Sequence, residues 1–162
     1  MKEMLLAGFI MGVTPAEVTC LADNMYFEAR NQGVAGLLAV TNVVMNRVAD
    51  TRYPDTICEV VQQGPTTLSW KGTGEHIPVK NRCQFSWYCD GKPDEPTDIE
   101  TYDYIYRLSF EILNQAVPYL DITEGATHYH ADYILPAWAA SKIRTVEIED
   151  HIFYRWETKD AP

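Results

Sequence analysis

The apolar residues of this chain change period part-way along it. From Val18 to Ala116 they recur mostly at three- and four-residue steps, the spacing of helices with one buried face. In "THYHADYI" and "TVEIEDHIFYRW" they alternate or give way to β-branched and aromatic residues, the pattern of strands. Helices followed by strands predict an α+β fold, a helical lobe beside a small antiparallel sheet. With 162 residues the chain suits one domain, taken as 1–162, with one sizeable core.

Several boundaries are written locally. Thr14-Pro15-Ala16-Glu17 reads as a capping box with proline at the first helical position. Val18, Leu21, Ala22, Met25 and Ala29 then share one face, and Gly33 ends the pattern. A second helix over 34–49 is apolar over a wide arc and is expected to be central and buried. A short helix follows at 56–61, again opened by a threonine with glutamate three residues on. Residues 63–82 form a long loop, and "CQFSWYC" is a strand or a tight loop. A third long helix opens at Thr97-Asp98-Ile99-Glu100, carries Ile99, Tyr102, Ile105, Tyr106, Ser109, Ile112, Leu113 and Ala116, and closes near Pro118. Glu149-Asp150 marks a turn between strands.

Charge narrows the function. The net charge is −10, from 23 acids against 13 Lys and Arg. That argues against nucleic acid, whose binding rests on neutralising phosphates, and against an electrostatic membrane anchor. A neutral or sugar-like substrate is compatible with it. The run from Met4 to Val13 is shorter than the roughly 18 apolar residues of a membrane span. It faintly resembles a signal peptide, but Glu3 spoils the positive region, and it reads better as an element packed on the core. Cys20, Cys58, Cys83 and Cys89 admit disulfides, but spacing does not choose the pairing.

One acid sits where an acid is costly. With about 100° per residue, Glu28 of "NMYFEARNQG" falls about 20° from Leu21, at the edge of the buried stripe. It could snorkel to water or pair with Arg30 or Arg47. If half-desolvated instead, its pKa rises, and it can hold a proton near neutral pH and deliver it to a leaving group, as the general acid of glycoside cleavage does. In that case Arg30 and Arg47 should point away or be engaged by other acids, since a nearby cation favours the anion.

"LADNMYFEARNQGVAGLLAVTNVVMNRV" resembles the opening of the SleB-type cell-wall hydrolase family, the spore cortex-lytic enzymes and their phage relatives. "YPDTICEVV", "RCQFSWYCDGKPD", "GATHYHADYILPAWA" and "HIFYR" resemble later blocks of that family in the same order. Asn31-Gln32 departs from the Gly-Glu common in relatives. The resemblance implies a lysozyme-like arrangement with a cleft between helical lobe and sheet, cleavage of peptidoglycan glycan strands, and Glu28 as catalytic acid.

Around Glu28, the candidate substrate contacts are Tyr26, Gln84, Phe85, Ser86, Trp87, Tyr129 and His130. They offer stacking faces and hydrogen bonds, which sugars need; Phe85, Trp87 and Tyr129 could equally be core residues. His128, His130 and Asp132 would share one side of a strand, a spacing open to a zinc amidase reading. No motif singles out a second carboxylate among Asp94, Glu124 and Asp132. A single acid fits a lytic transglycosylase, which needs no water, better than a muramidase or glucosaminidase. The expectation is a monomeric, cofactor-free enzyme cutting the MurNAc–GlcNAc β-1,4 bond. A hydrolase, a zinc amidase and a non-catalytic glycan-binding module are the alternatives. Without a convincing export signal it is expected to wait in the cytoplasm, as an endolysin, until a holin-type lesion admits it to the wall.

Overall fold

Thr14 begins the helical half. Its Oγ1 accepts the N–H of Glu17 at 3.2 Å, and Pro15 opens helix α1 (Pro15–Ala29). The other half of the expected capping box is made elsewhere: the Glu17 carboxylate accepts the N–H of Ile57 at 3.0 Å. One acid therefore ties α1 to the start of α3 (Ile57–Val61), whose own cap at Thr56 is reciprocal with Glu59. A disulfide between Cys20 and Cys58 joins the same two helices. The computed structural model describes residues 13–117 and 119–157, so most of the N-terminal apolar run and Pro118 lie outside the described residues.

Gly33 does not end α1, which stops at Ala29; it is the N-cap of α2 (Val34–Ala49). A Cβ on Gly33 would stand 2.6 Å from the Glu149 carboxylate, whose other oxygen accepts the Gly33 N–H at 2.8 Å. Helix α2 is central because it is buried on two sides. Val40 and Val44 join Leu21, Met25, Ile57, Val60 and Ile105 in the main core. Ala39 and Val43 pack with Ala126 and Phe153 under the sheet. Each large apolar side chain so buried contributes on the order of 1.5–3 kcal/mol.

Helix α4 (Ile99–Leu113) starts at Asp98, whose carboxylate accepts the Thr101 N–H at 3.1 Å. Ile105, Ser109, Ile112 and Leu113 are buried, whereas Ile99, expected at the head of the stripe, is 67% exposed. The helix ends without need of Pro118: the Asn114 amide donates to Phe110 O at 2.8 Å, and Gln115 takes a left-handed φ of 56°.

Between α3 and α4 the long loop carries a hairpin, β1 (Thr66–Leu68) with β2 (His76–Pro78), so strands do not simply follow helices. "CQFSWYC" is no strand: Ser86–Cys89 is a 3-10 turn, and a Cys83–Cys89 disulfide closes the loop. The second sheet is antiparallel, in the order β3 (His128–Ala131), β5 (His151–Arg155), β4 (Ile143–Ile148), with Tyr129 opposite Phe153. A 3-10 turn over Ala137–Ser141 lies between β3 and β4.

Candidate active site

Helix α1 presents Glu28 in its last turn, toward the sheet. Tyr129 of β3 donates its hydroxyl to Glu28 Oε2 at 2.6 Å. Both residues line a pocket of about 170 Å³, with Arg47 from α2, Gln84, Phe85 and Ser86 from the disulfide loop, His128 from β3 and Trp138 from the 3-10 turn before β4. Phe85 is 3% exposed, so it is both core and pocket wall.

The site holds the acid against its ordinary state. Glu28 is half-buried as a residue, but the protein crowds its carboxyl enough for burial to raise its pKa, against the opposing pull of the Tyr129 hydrogen bond and of Arg47. Tyr129 is held well above the usual tyrosine range, by burial and by the adjacent acid, and so remains a donor. His128 is pushed down to about 4, by burial and then by Arg47, Lys142 and Arg52, and is neutral at neutral pH.

Arg30 points away from the acid, lying over the Tyr26 ring at 4.8 Å. Arg47 does not, contrary to expectation, and among the described residues no carboxylate forms an ion pair with it. Its Nε donates to Thr127 O at 2.8 Å, and its guanidinium lies about 5 Å from the Tyr53 and Phe85 ring centres. Helix α2 carries Arg47 beneath the sheet, where a backbone carbonyl and ring faces replace a counter-ion.

The profile of the Cell Wall Hydrolase family matches residues 31–154. The chain belongs to this family. The match begins at Asn31, just after the turn that carries Glu28. Two solved structures share the fold of this cell wall hydrolase family member. The catalytic domain of the germination-specific lytic transglycosylase SleB from Bacillus anthracis superposes with a TM-score of 0.62 at 21% identity, over 89% of this chain and 98% of that one. The catalytic domain of the Bacillus cereus SleB protein gives 0.59 at 22%, over 89% and 93%. The helical lobe with its small antiparallel sheet is thus the lysozyme-like α+β arrangement expected. No curated protein sequence matches the chain.

Of the candidate residues in this family member, the structure brings Glu28, Gln84, Phe85, Ser86 and Tyr129 into one pocket. Three others lie elsewhere. Tyr26 is 1% exposed, and its hydroxyl accepts the N–H groups of Thr97 and Asp98 at 3.2 and 3.0 Å, capping α4. It precedes Glu28 by two residues, about 200° around the helix, and so faces the other way. Trp87 stacks on Phe27 at 4.8 Å and donates to Asn24 Oδ1 at 3.0 Å, because the 3-10 turn swings it off the face it would share with Phe85 on a strand. His130 is buried, its Nε2 within 2.9 Å of Tyr154 Oη.

Each strand histidine has its own hydrogen-bond partner: His128 pairs with Thr127 Oγ1 at 2.9 Å, and Asp132 is exposed. No three His, Cys, Asp or Glu among the described residues are placed to share a metal ion. Asp94, Glu124 and Asp132 are outside the pocket lining, where Glu28 is the one carboxylate among the described residues. Arg47 and Trp138 were not candidates, and His128 was one only as a metal ligand. Arg47 stood out in the sequence only as a possible partner of Glu28, and Trp138 only as part of the block "GATHYHADYILPAWA".

Proposed function

We propose that this protein is a peptidoglycan lytic transglycosylase cutting the MurNAc–GlcNAc β-1,4 bond. The observation that carries the reading is a sugar-sized pocket with a single carboxylate, whose proton is favoured by burial. Tyr129 holds Oε2, which leaves Oε1 to carry that proton. Glu28 protonates the glycosidic oxygen as the bond from C1 breaks, and the GlcNAc leaves as its alcohol. The C6 hydroxyl of the same muramoyl residue bonds to C1 and returns its proton to the Glu28 carboxylate. The 1,6-anhydro product forms without water, and the acid is restored for the next turn. A hydrolytic glycosidase needs a second carboxylate about 5–9.5 Å from the first, as nucleophile or as base.

Membership of a cell wall hydrolase family supports this reading, as does the lytic transglycosylase activity named for the Bacillus anthracis SleB domain. We further propose release to the wall through a lesion made by another protein. The disulfides would close there, since the cytoplasm keeps thiols reduced.

Mass spectrometry of digested sacculi tests the reaction. Anhydromuramyl ends are expected. New reducing ends would make the protein a hydrolase, freed peptides an amidase, and intact sacculi a binding module.

A further inference from the structure

Arg47 is the charged group in the pocket that the steps above leave idle. It is 4% exposed, and its Nε is satisfied by Thr127 O. Among the described residues, Nη1 is sealed from solvent with no hydrogen-bond partner, no partner is found for Nη2, and no carboxylate lies within 4 Å. A buried charge without a counter-ion is costly, and a donor left unpaired adds to that cost. The chain has 23 acids from which to supply a partner. Glu28 cannot be a lasting one, because it must be protonated when the reaction starts.

Resting on the reading of this pocket as a muramoyl cleavage site, we propose that Arg47 determines specificity by binding a carboxylate carried on the muramoyl sugar itself, its free 3-O-lactyl group. The rings of Tyr53 and Phe85 hold the guanidinium in place without neutralising it, so the charge is presented ready for an anion. At about 170 Å³ the pocket is smaller than the roughly 300–1,000 Å³ of drug-sized ligand sites. It has room for one sugar and its 3-O substituent. An anion seated on Arg47 also offsets the pull of that cation on Glu28, so the acid keeps its proton in the complex. A free lactyl carboxylate exists only where the amide to the stem peptide has been hydrolysed. Denuded muramoyl residues, which a reaction of the amidase class supplies, are therefore the favoured points of cleavage within the wall.

The test uses three soluble glycan preparations of equal length: lactyl carboxylates free, the same groups converted to methylamides, and stem peptides intact. Binding is measured by calorimetry to the Glu28→Gln protein, and kcat/KM with the wild type. The free carboxylate should bind about 10- to 100-fold more tightly than the methylamide, the worth of a charge-assisted hydrogen bond. Adding Arg47→Met should collapse that ratio to about threefold or less, while Arg47→Lys keeps part of it. Because Arg47 is buried, the ratio in the Glu28→Gln protein decides the matter should Arg47→Met fail to fold. Equal binding of carboxylate and methylamide overturns the proposal. So does tightest binding of strands with intact stems, which would place the anion in the peptide. Products with reducing ends alongside a retained preference would sink the transglycosylase reading and leave this one standing.

Discussion

Helix α1 meets two tyrosines through two acids, and only one of the two seams is open. On the α4 side, Tyr102 donates to Asp23 at 2.7 Å; on the β3 side, Tyr129 donates to Glu28 at 2.6 Å. Burial is the largest influence on both carboxyls and raises the pKa of each. The seams differ in what else is present. Asp94 adds a like charge beside Asp23, whereas Arg47 sets a cation near Glu28. Only Glu28 borders the pocket. A desolvated acid with a tyrosine partner is therefore not by itself a catalytic acid. Space for a substrate beside it, and a nearby cation in place of a like charge, distinguish the working seam from the closed one.

The largest effect should come from removing each carboxylate. Glu28→Gln should lower sacculus lysis by about 10²–10⁴-fold with the fold intact, the usual loss for one acid–base group. Asp23→Asn should leave turnover within about threefold. Turbidity clearing with both purified variants measures this, and an Asp23→Asn enzyme as dead as Glu28→Gln would erase the distinction between the seams.

Removing each hydroxyl is gentler. The Tyr129 hydrogen bond lowers the pKa of Glu28, so Tyr129→Phe should raise it and carry the alkaline limb of the pH–rate profile to higher pH. The lost positioning should cost about tenfold in kcat. Tyr102→Phe leaves Asp23 short of a partner and should cost about 1–2 kcal/mol of stability with the limb unmoved. Profiles of turnover against pH, with thermal melts, check both; a limb that moves in Tyr102→Phe would contradict the assignment of that limb to Glu28.

The smallest effect concerns stability. Each acid has a folded pKa above its ordinary value, 3.8 for Asp23 and 4.5 for Glu28. The stability linked to the bound proton is fully present below those ordinary values and is lost as pH rises through the raised ones. Glu28→Gln and Asp23→Asn should therefore each melt a few degrees above wild type at pH 7 and gain nothing near pH 3.5. Asp23→Asn would gain stability at no catalytic cost. Melting curves at the two pH values measure it, and a gain that persists at low pH would point to packing instead of charge.

Much of this was legible in residue spacing because it depends on neighbours along the chain. The apolar steps of α1 and α2, the caps at Thr14 and Thr56, and the turn at Glu149-Asp150 are local devices, and the structure contains them. Glu28 stood out for the same reason, as a mismatch between one residue and its own helix face. Partners brought from afar left little trace. Nothing near Glu17 says that its carboxylate will cap α3, and nothing near Arg47 says that Thr127 and two aromatic rings will receive it. Trp87 lies off the pocket because a disulfide-closed 3-10 turn replaces the strand period that would set it beside Phe85. Tyr26 looked functional by its nearness to Glu28 in sequence, which on a helix puts it on the far side.

One clasp between the halves also ties two distant positions together. The Gln32 carboxamide donates to Asp150 Oδ2 at 3.0 Å and accepts the Asp150 N–H at 3.2 Å, beside the Gly33–Glu149 contact. A glutamate at 32 could still accept but not donate, and it would set a third negative charge against Asp150 and Glu149. The amide at 32 and the acids of the β4–β5 turn thus form one unit held at two distant positions. A glutamate placed at the first therefore calls for the loss of an acid at the second.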